Sequence, residues 1–391
     1  MLPATAARAR APAMRGSIML HRLAGLGRLI LACALFACAA AATAGPKRLV
    51  IVDDDVIGLN GVLPLVLQTA DVELLGVTTT SGSVWRDTAT AHALRTLEIM
   101  GRRDVPVVPG ATYPLLNSAE RTKRWEGLHG RLVFKGPWTD YWPEGTLQPP
   151  PGQRSPDFVP PLPEGNPTTK PAAEIAALFL IRQVRAHPGE VTIIATGPMT
   201  NIALAQSLDP GFAANVQALV YMGGSLNPQQ RLASKAAEEF AREYVNTPRR
   251  EFNIRWDPEA ARIVAHAPWR SVTMVPVDPS TGTEWTPAYL AEVAKAGTPL
   301  ARAVATIAPG FPMWDEIAAM AWLRPGIVTR ADRLWIDFDT GEGAGYGDTL
   351  SWSEAYRPGL GEQPQTVVRE IDRQTMEAAM KALYVAPVRG R

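Results

Sequence analysis

Three consecutive carboxylates, Asp53, Asp54 and Asp55, follow the apolar run Arg48-Leu-Val-Ile-Val. Like charges crowded at one strand end repel, and either a bound metal or a solvated edge relieves that repulsion. Five other strand ends also carry polar or glycine-rich residues. They are Gly82-Ser83, Thr196-Gly-Pro-Met-Thr-Asn201, Met222-Gly-Gly224, Glu251-Phe-Asn253 and Trp314-Asp315. Carboxylates beside hydroxyls and amides can take protons from water and bind cations or hydroxylated ligands. One of these runs alone means little; six of them ask what architecture brings strand ends together.

The chain alternates strand-like and helix-like stretches. Arg48 to Val52 reads as a buried strand, Gly61 to Ala70 as a helix and Val72 to Thr79 as a second strand. Asp87 to Met100 carries Ala91, Leu94, Leu97 and Ile99 on an apolar side, as an amphipathic helix does. Val105 to Val108, Val191 to Ala195, Val216 to Met222 and Ser271 to Val277 read as further strands. Ala172 to Ala186, the stretch opening at Thr200-Asn201 and the stretch from Ala319 onward read as helices. Such alternation implies a mainly parallel sheet covered on both faces. In that architecture the ligand sits beyond the carboxyl ends of the strands, where all these polar residues fall. Residues 136–171 are crowded with proline and interrupt the series. Both flanks belong to one alternating pattern, so the segment reads as an excursion from a single domain rather than a linker.

Composition narrows the classes. Arg8, Arg10, Arg15, Arg22 and Arg28 precede a short apolar block from Leu29 to Ala42, which ends in Ala42-Thr43-Ala44. This is the pattern of an export signal over residues 1–44, with a periplasmic or secreted mature chain from residue 45. The block is too short for a comfortable membrane span. Leu35-Phe-Ala-Cys38 is a loose lipidation box, and bulky Phe36 argues against it. Both cysteines, Cys33 and Cys38, fall inside the signal, so cysteine nucleophiles and thiolate-held metals are excluded from the mature chain. Without the five arginines, 34 Lys and Arg face 38 Asp and Glu, a net charge of −4. Nothing in that balance favours nucleic acid or an anionic membrane as partner.

Taken together, the strand-end residues resemble the inosine-uridine preferring nucleoside hydrolase family, from about residue 48 to about residue 385. Ala195-Thr-Gly-Pro-Met-Thr-Asn-Ile-Ala203 and Glu251-Phe-Asn-Ile-Arg-Trp-Asp-Pro-Glu-Ala-Ala261 carry the resemblance most strongly. Trp314-Asp315-Glu316 is similar to a divergent subgroup of fungi and bacteria. The resemblance implies a single Rossmann-like α/β domain with helices flanking a mainly parallel sheet. It also implies an N-ribohydrolase, in which water cleaves the bond between ribose C1′ and a nucleobase, and one calcium ion. By the same resemblance, Asp55 is a calcium ligand and the base for the attacking water. Asn60, the Thr196 carbonyl and Asp315 complete the metal set. Glu251, Asn253, Ser83, Trp314 and Asn246 face the substrate, and Asp53 is structural. The partner is a small ribosyl compound; a homo-oligomer is left open.

The chain departs from the resembled first-loop pattern D-x-D-x-G-x-D-D. Leu59 stands where a ribose-contacting aspartate is expected, and Asn60 where a bidentate calcium aspartate is expected. Asn60 keeps one carbonyl oxygen but loses a charge. Asp54 can compensate, although strand alternation points it away from its neighbours. Ser83 replaces an asparagine, and Asn246 lies five residues before Glu251 rather than six. Trp314 stands where many members have a histidine that protonates the leaving base; an indole can stack but cannot act as that acid. His129 reads as a solvated loop residue, His92 as a packing residue and Asn201 as a brace for its loop. Two other functions are weighed against hydrolysis. A ribosyl-binding protein on the same scaffold fits the lost carboxylates. A phosphatase with Asp53-x-Asp55 as nucleophile loop would need a serine or threonine motif and a paired lysine downstream, whereas mature lysines are few and no acidic pair follows a suitable strand.

Overall fold

In strand β1 (Arg48–Asp54) the side chains alternate between two cores. Val50 and Val52 join one apolar cluster and Ile51 the other, all fully buried. Burial of each such side chain stabilises the fold by about 1.5–3 kcal/mol. That alternation sends Asp53 and Asp54 to opposite faces of the sheet, a point on which the site depends. The protein is described by a computed structural model, which covers residues 45–55, 58, 59, 61–141, 155–246 and 248–389. The export signal at 1–44, the Asn60 ligand position and residues 142–154 of the proline-rich excursion lie outside the described residues.

The unit Lys47–Arg391 is built on a nine-stranded sheet of order β3-β2-β1-β4-β5-β6-β9-β7-β8. Its strands are β1, β2 (Val72–Thr79), β3 (Val107–Pro109), β4 (Val191–Ala195), β5 (Ala218–Met222), β6 (Val272–Val275), β7 (Val328–Phe338), β8 (Thr349–Trp352) and β9 (Gln363–Ile371). From β3 through β6 to β9 every pairing is parallel, whereas β7 pairs antiparallel with both β8 and β9. The expected α/β architecture with a mainly parallel sheet is the one the chain adopts. Helices Val62–Gln68, Arg86–Ile99, Trp314–Leu323 and Arg373–Val385 cover one face. Helices Ala176–Ala186, Thr200–Leu208 and Pro258–His266 cover the other. Among the described residues no helix is long and apolar enough to cross a membrane.

Several boundaries differ from the sequence reading. The helix expected from Ala319 onward already begins at Trp314, which puts Asp315 and Glu316 in its first turn. β1 runs two residues past Val52, so the ladder itself holds Asp53 and Asp54. The antiparallel β7–β8 extension and the helix Lys235–Asn246 had no counterpart in the reading. The sheet order reverses at β1, which lies between β2 and β4. This is the switch point where a doubly wound sheet opens a crevice.

Candidate active site

The crevice begins with Asp53, which is fully buried on the face of the Thr200–Leu208 helix. Its Oδ2 accepts hydrogen bonds from Thr78 Oγ1 at 2.5 Å and from Asn201 Nδ2 at 2.8 Å. Asn201 also donates to the Thr79 carbonyl at 3.1 Å and accepts from the Ala111 amide at 2.8 Å. The brace read from the sequence is therefore real: Asn201 ties the end of β2 and the loop at Ala111 to Asp53. Burial still pushes the Asp53 carboxyl up to about 7, against the pull of those two donors. Its Oδ1, like the neighbouring Thr196 Oγ1, is buried without a hydrogen-bond partner.

Asp55 ends the strand and is held rigidly. Its Oδ2 accepts the Ser83 amide at 2.5 Å. Gly82 and Gly197 close in on it from either side. A Cβ on Gly82 would lie 2.2 Å from Asp55 Oδ2, and one on Gly197 would lie 2.8 Å from the Asp55 nitrogen. Ser83, expected at the substrate, thus acts on Asp55 through its backbone. Burial raises the Asp55 carboxyl to about 6, while the Ser83 amide and hydroxyl pull it down.

Glu251 caps the short helix Phe252–Trp256 from its N-terminal side. Its carboxylate takes the amides of Asn253 at 2.8 Å, Ile254 at 3.1 Å and Gly224 at 3.0 Å. Gly224 is in the left-handed region at φ +81°, and a Cβ there would meet Met274 Cε at 2.2 Å. The glycine at the end of β5 is therefore required by both backbone and packing. Burial raises the Glu251 carboxyl to about 7, with the charge of Asp55 adding to the rise. Asn253 Nδ2 donates to the carbonyls of Thr196 at 3.1 Å and Met222 at 3.2 Å, which clips the ends of β4 and β5 together. A carbonyl has two lone pairs, so Thr196 oxygen keeps one for a ligand.

Asp315 joins this group from the opposite face. Its carboxyl is pushed well above the usual range, first by burial and then by the charges of Asp54, Glu316, Asp55 and Glu251. Strand alternation explains the leading charge: Asp54 points toward the Trp314–Leu323 helix, away from Asp53. Glu316 anchors the other side of the crevice, its Oε1 accepting the Gly61 amide at 2.9 Å. Burial raises its carboxyl too. Trp314 is half-buried and packs edge-on against Phe240 at 5.1 Å and 88°, and against Phe311 at 6.3 Å and 75°. Leu59 is buried, and Asn246 is exposed at the end of the helix Lys235–Asn246. His92 is buried and pairs with Glu164, as a packing residue does, and exposed His129 lies tilted against Trp125 with ring centroids 5.1 Å apart.

Asp54, weighed in the sequence as a compensating ligand that strand alternation points away from its neighbours, is aimed by that same alternation at Asp315. Glu243 escaped the sequence reading. Glu243, on the helix Lys235–Asn246, is half-buried and interacts with the charges of Glu251 and Arg255. Phe240 and Glu243 are three residues apart, which puts both on one helical face; that spacing was the available signal.

The donors fit a hard cation. Asp55, Asp315 and the Thr196 carbonyl offer only oxygen, and buried oxygens of Asp53 and Thr196 remain without partners. Oxygen-only sets suit calcium rather than zinc. Among the described residues, no three His, Cys, Asp or Glu side chains form a metal-holding group by themselves.

Comparison with known proteins agrees with this geometry. The chain is 28% identical over 360 residues to Uridine nucleosidase 1 of Arabidopsis thaliana, covering 87% of this chain and 94% of that one. It is 29% identical over 328 residues to the pyrimidine-specific ribonucleoside hydrolase RihA of Enterobacter sp. (strain 638), covering 80% and 89%. The fold superposes on the plant nucleoside hydrolase PpNRh1 with a TM-score of 0.65 at 23% identity, covering 88% of this chain and 100% of that one. It superposes on the purine-preferring ribonucleoside hydrolase from Gardnerella vaginalis with a TM-score of 0.63 at 20% identity, covering 86% and 98%. Residues 50–378 match the profile of the inosine-uridine preferring nucleoside hydrolases, a span that encloses every residue of the crevice. The chain belongs to that family of nucleoside hydrolases.

Proposed function

We propose that this protein hydrolyses the N-glycosidic bond of ribonucleosides in a calcium-dependent reaction, with Asp55 as the base. One observation supports the reading: Asn253 Nδ2 reaches the Thr196 carbonyl at 3.1 Å and the Thr196 amide donates to the Asp53 carbonyl at 2.9 Å, beside carboxylates whose charges Asp315 senses. Asp55, Asp315, the Thr196 carbonyl and Asn60 would hold the calcium ion, which would supply a water of lowered pKa. Asp55 accepts the proton of that water, and the fixed Ser83 amide keeps the accepting oxygen in place. Cleavage at C1′ builds positive charge on the sugar, and the carboxylates of the crevice stabilise it. Glu251 and Asn253 stand where ribose hydroxyls bind, each held by its own hydrogen bonds to the backbone. Trp314 supplies an aromatic face for the base, backed by Phe240 and Phe311.

p-Nitrophenyl riboside tests the assignment, because its leaving group departs with little protonation. Asp55→Asn should abolish its cleavage while ribose binding, followed by calorimetry, persists. Full activity in Asp55→Asn would remove Asp55 from the role of base.

A further inference from the structure

The nucleobase needs a proton to leave, and Trp314 cannot give one. The helix Lys235–Asn246 carries both Phe240 and Glu243. At one point it touches the aromatic wall: Phe240 meets Trp314 edge-on at 5.1 Å. One turn later, on the same face, Glu243 senses the charge of Glu251 on the sugar side and of buried Arg255 beneath it. Three helical residues rise only about 4.5 Å. Glu243 therefore lies one turn from the residue that touches Trp314 and within electrostatic reach of Glu251, so that a substrate lying across both would bring its glycosidic bond toward it.

Resting on the hydrolase reading above, we infer that Glu243 is the acid that protonates the departing base. Its surroundings suit both halves of that task. Burial, reinforced by Glu251, raises the carboxyl to about 7 against the opposing pull of Arg255, so a protonated fraction exists near neutral pH. Once the proton has left, the charge of Arg255, whose Nη2 is buried without a hydrogen-bond partner, favours the carboxylate. The guanidinium stabilises the anion that the transfer creates. The balance is complete. The C1′–N bond breaks with its electron pair going to the base, and the Glu243 proton goes to a nitrogen or oxygen of that base. The water oxygen bonds C1′, and its proton goes to Asp55. Ribose and neutral base leave, and a proton returns from Asp55 to Glu243 through solvent.

The test compares inosine with p-nitrophenyl riboside, in the unmodified protein and in Glu243→Gln, at saturating calcium. The amide keeps the shape and carries no transferable proton. Glu243→Gln should lower kcat for inosine about 10²-fold or more and for p-nitrophenyl riboside far less, so that the ratio of the two falls at least ~10-fold. The alkaline limb of the inosine pH profile, near pH 7 in the unmodified protein, should disappear. Glu243→Asp should restore part of the ratio, and it serves as the second variant if the amide fails to fold. An equal loss on both substrates, or none on either, would overturn the inference while leaving the hydrolase reading intact. If the unmodified protein cleaves neither compound, both fall together.

Discussion

Gly82→Ala perturbs the proposed base without touching its chemistry. The new methyl carbon would sit 2.2 Å from Asp55 Oδ2, 2.7 Å from Pro198 Cδ and 2.9 Å from Asp55 Cβ. Ordinary carbon–oxygen contact is about 3.5 Å, so the carboxylate oxygen must retreat by more than about 1 Å. Retreat is costly because that oxygen is held at 2.5 Å by the Ser83 amide and the proline ring cannot yield. The fold should absorb the clash at about 1–3 kcal/mol, the usual cost of overpacking. Catalysis should suffer more, since a misplacement of about 1 Å costs about 10²-fold. The assay is kcat on p-nitrophenyl riboside, paired with a denaturation curve to confirm that the variant is folded. A folded Gly82→Ala with kcat within about threefold of the unmodified protein would refute the claim that the position of Asp55 limits the rate.

Three further outcomes follow from the same geometry. Asn201→Ala strips buried partners from Asp53, Thr79 and Ala111, and should cost about 2–4 kcal/mol in urea denaturation; a loss below about 1 kcal/mol would contradict the brace. The calcium-free protein should melt at a lower temperature at pH 8 than at pH 5. Burial raises Asp257 to about 6 and Glu251 and Glu243 to about 7, so their stabilising protonated forms are lost as pH climbs through those values. Glu98, drawn down to about 2 by the Thr168 and Thr169 donors despite burial, acts in the opposite direction only below about pH 4.5, outside that window; a melting temperature that rises from pH 5 to pH 8 would contradict the assignment. Asn60→Asp should tighten calcium binding in a calorimetric titration by restoring a carboxylate, and unchanged affinity would mean that Asn60 is no ligand.

The parallel core of the fold was legible because β-branched apolar runs have few other uses. β2 and β4 have the expected ends at Val72, Thr79, Val191 and Ala195. The antiparallel extension was hidden because β7 carries Arg330, Asp332 and Arg333 along its exposed half and lacks a continuous apolar run. The helix from Trp314 was read too short because its first turn carries Asp315 and Glu316 in place of an apolar run. At the site, residue types at strand ends pointed to Asp53, Asp55, Thr196, Glu251, Asn253 and Asp315, and the topology gathers the ends of β1, β4 and β5. Glu243 was invisible for a physical reason. A glutamate on an amphipathic helix reads as solvent-facing until tertiary packing turns that face toward a crevice. The role of Ser83 was equally hidden, since its backbone amide, which no residue type reveals, donates to Asp55 at 2.5 Å beside its hydroxyl.

The most direct measurement is the release of free ribose from a panel of ribonucleosides, with saturating calcium and with chelator. Ribose should appear with calcium, fall to background with chelator and return when calcium is restored. Binding of nucleoside without release of ribose, at any calcium concentration, would contradict a hydrolytic site. Undiminished release in chelator would contradict the calcium held by Asp55 and Asp315.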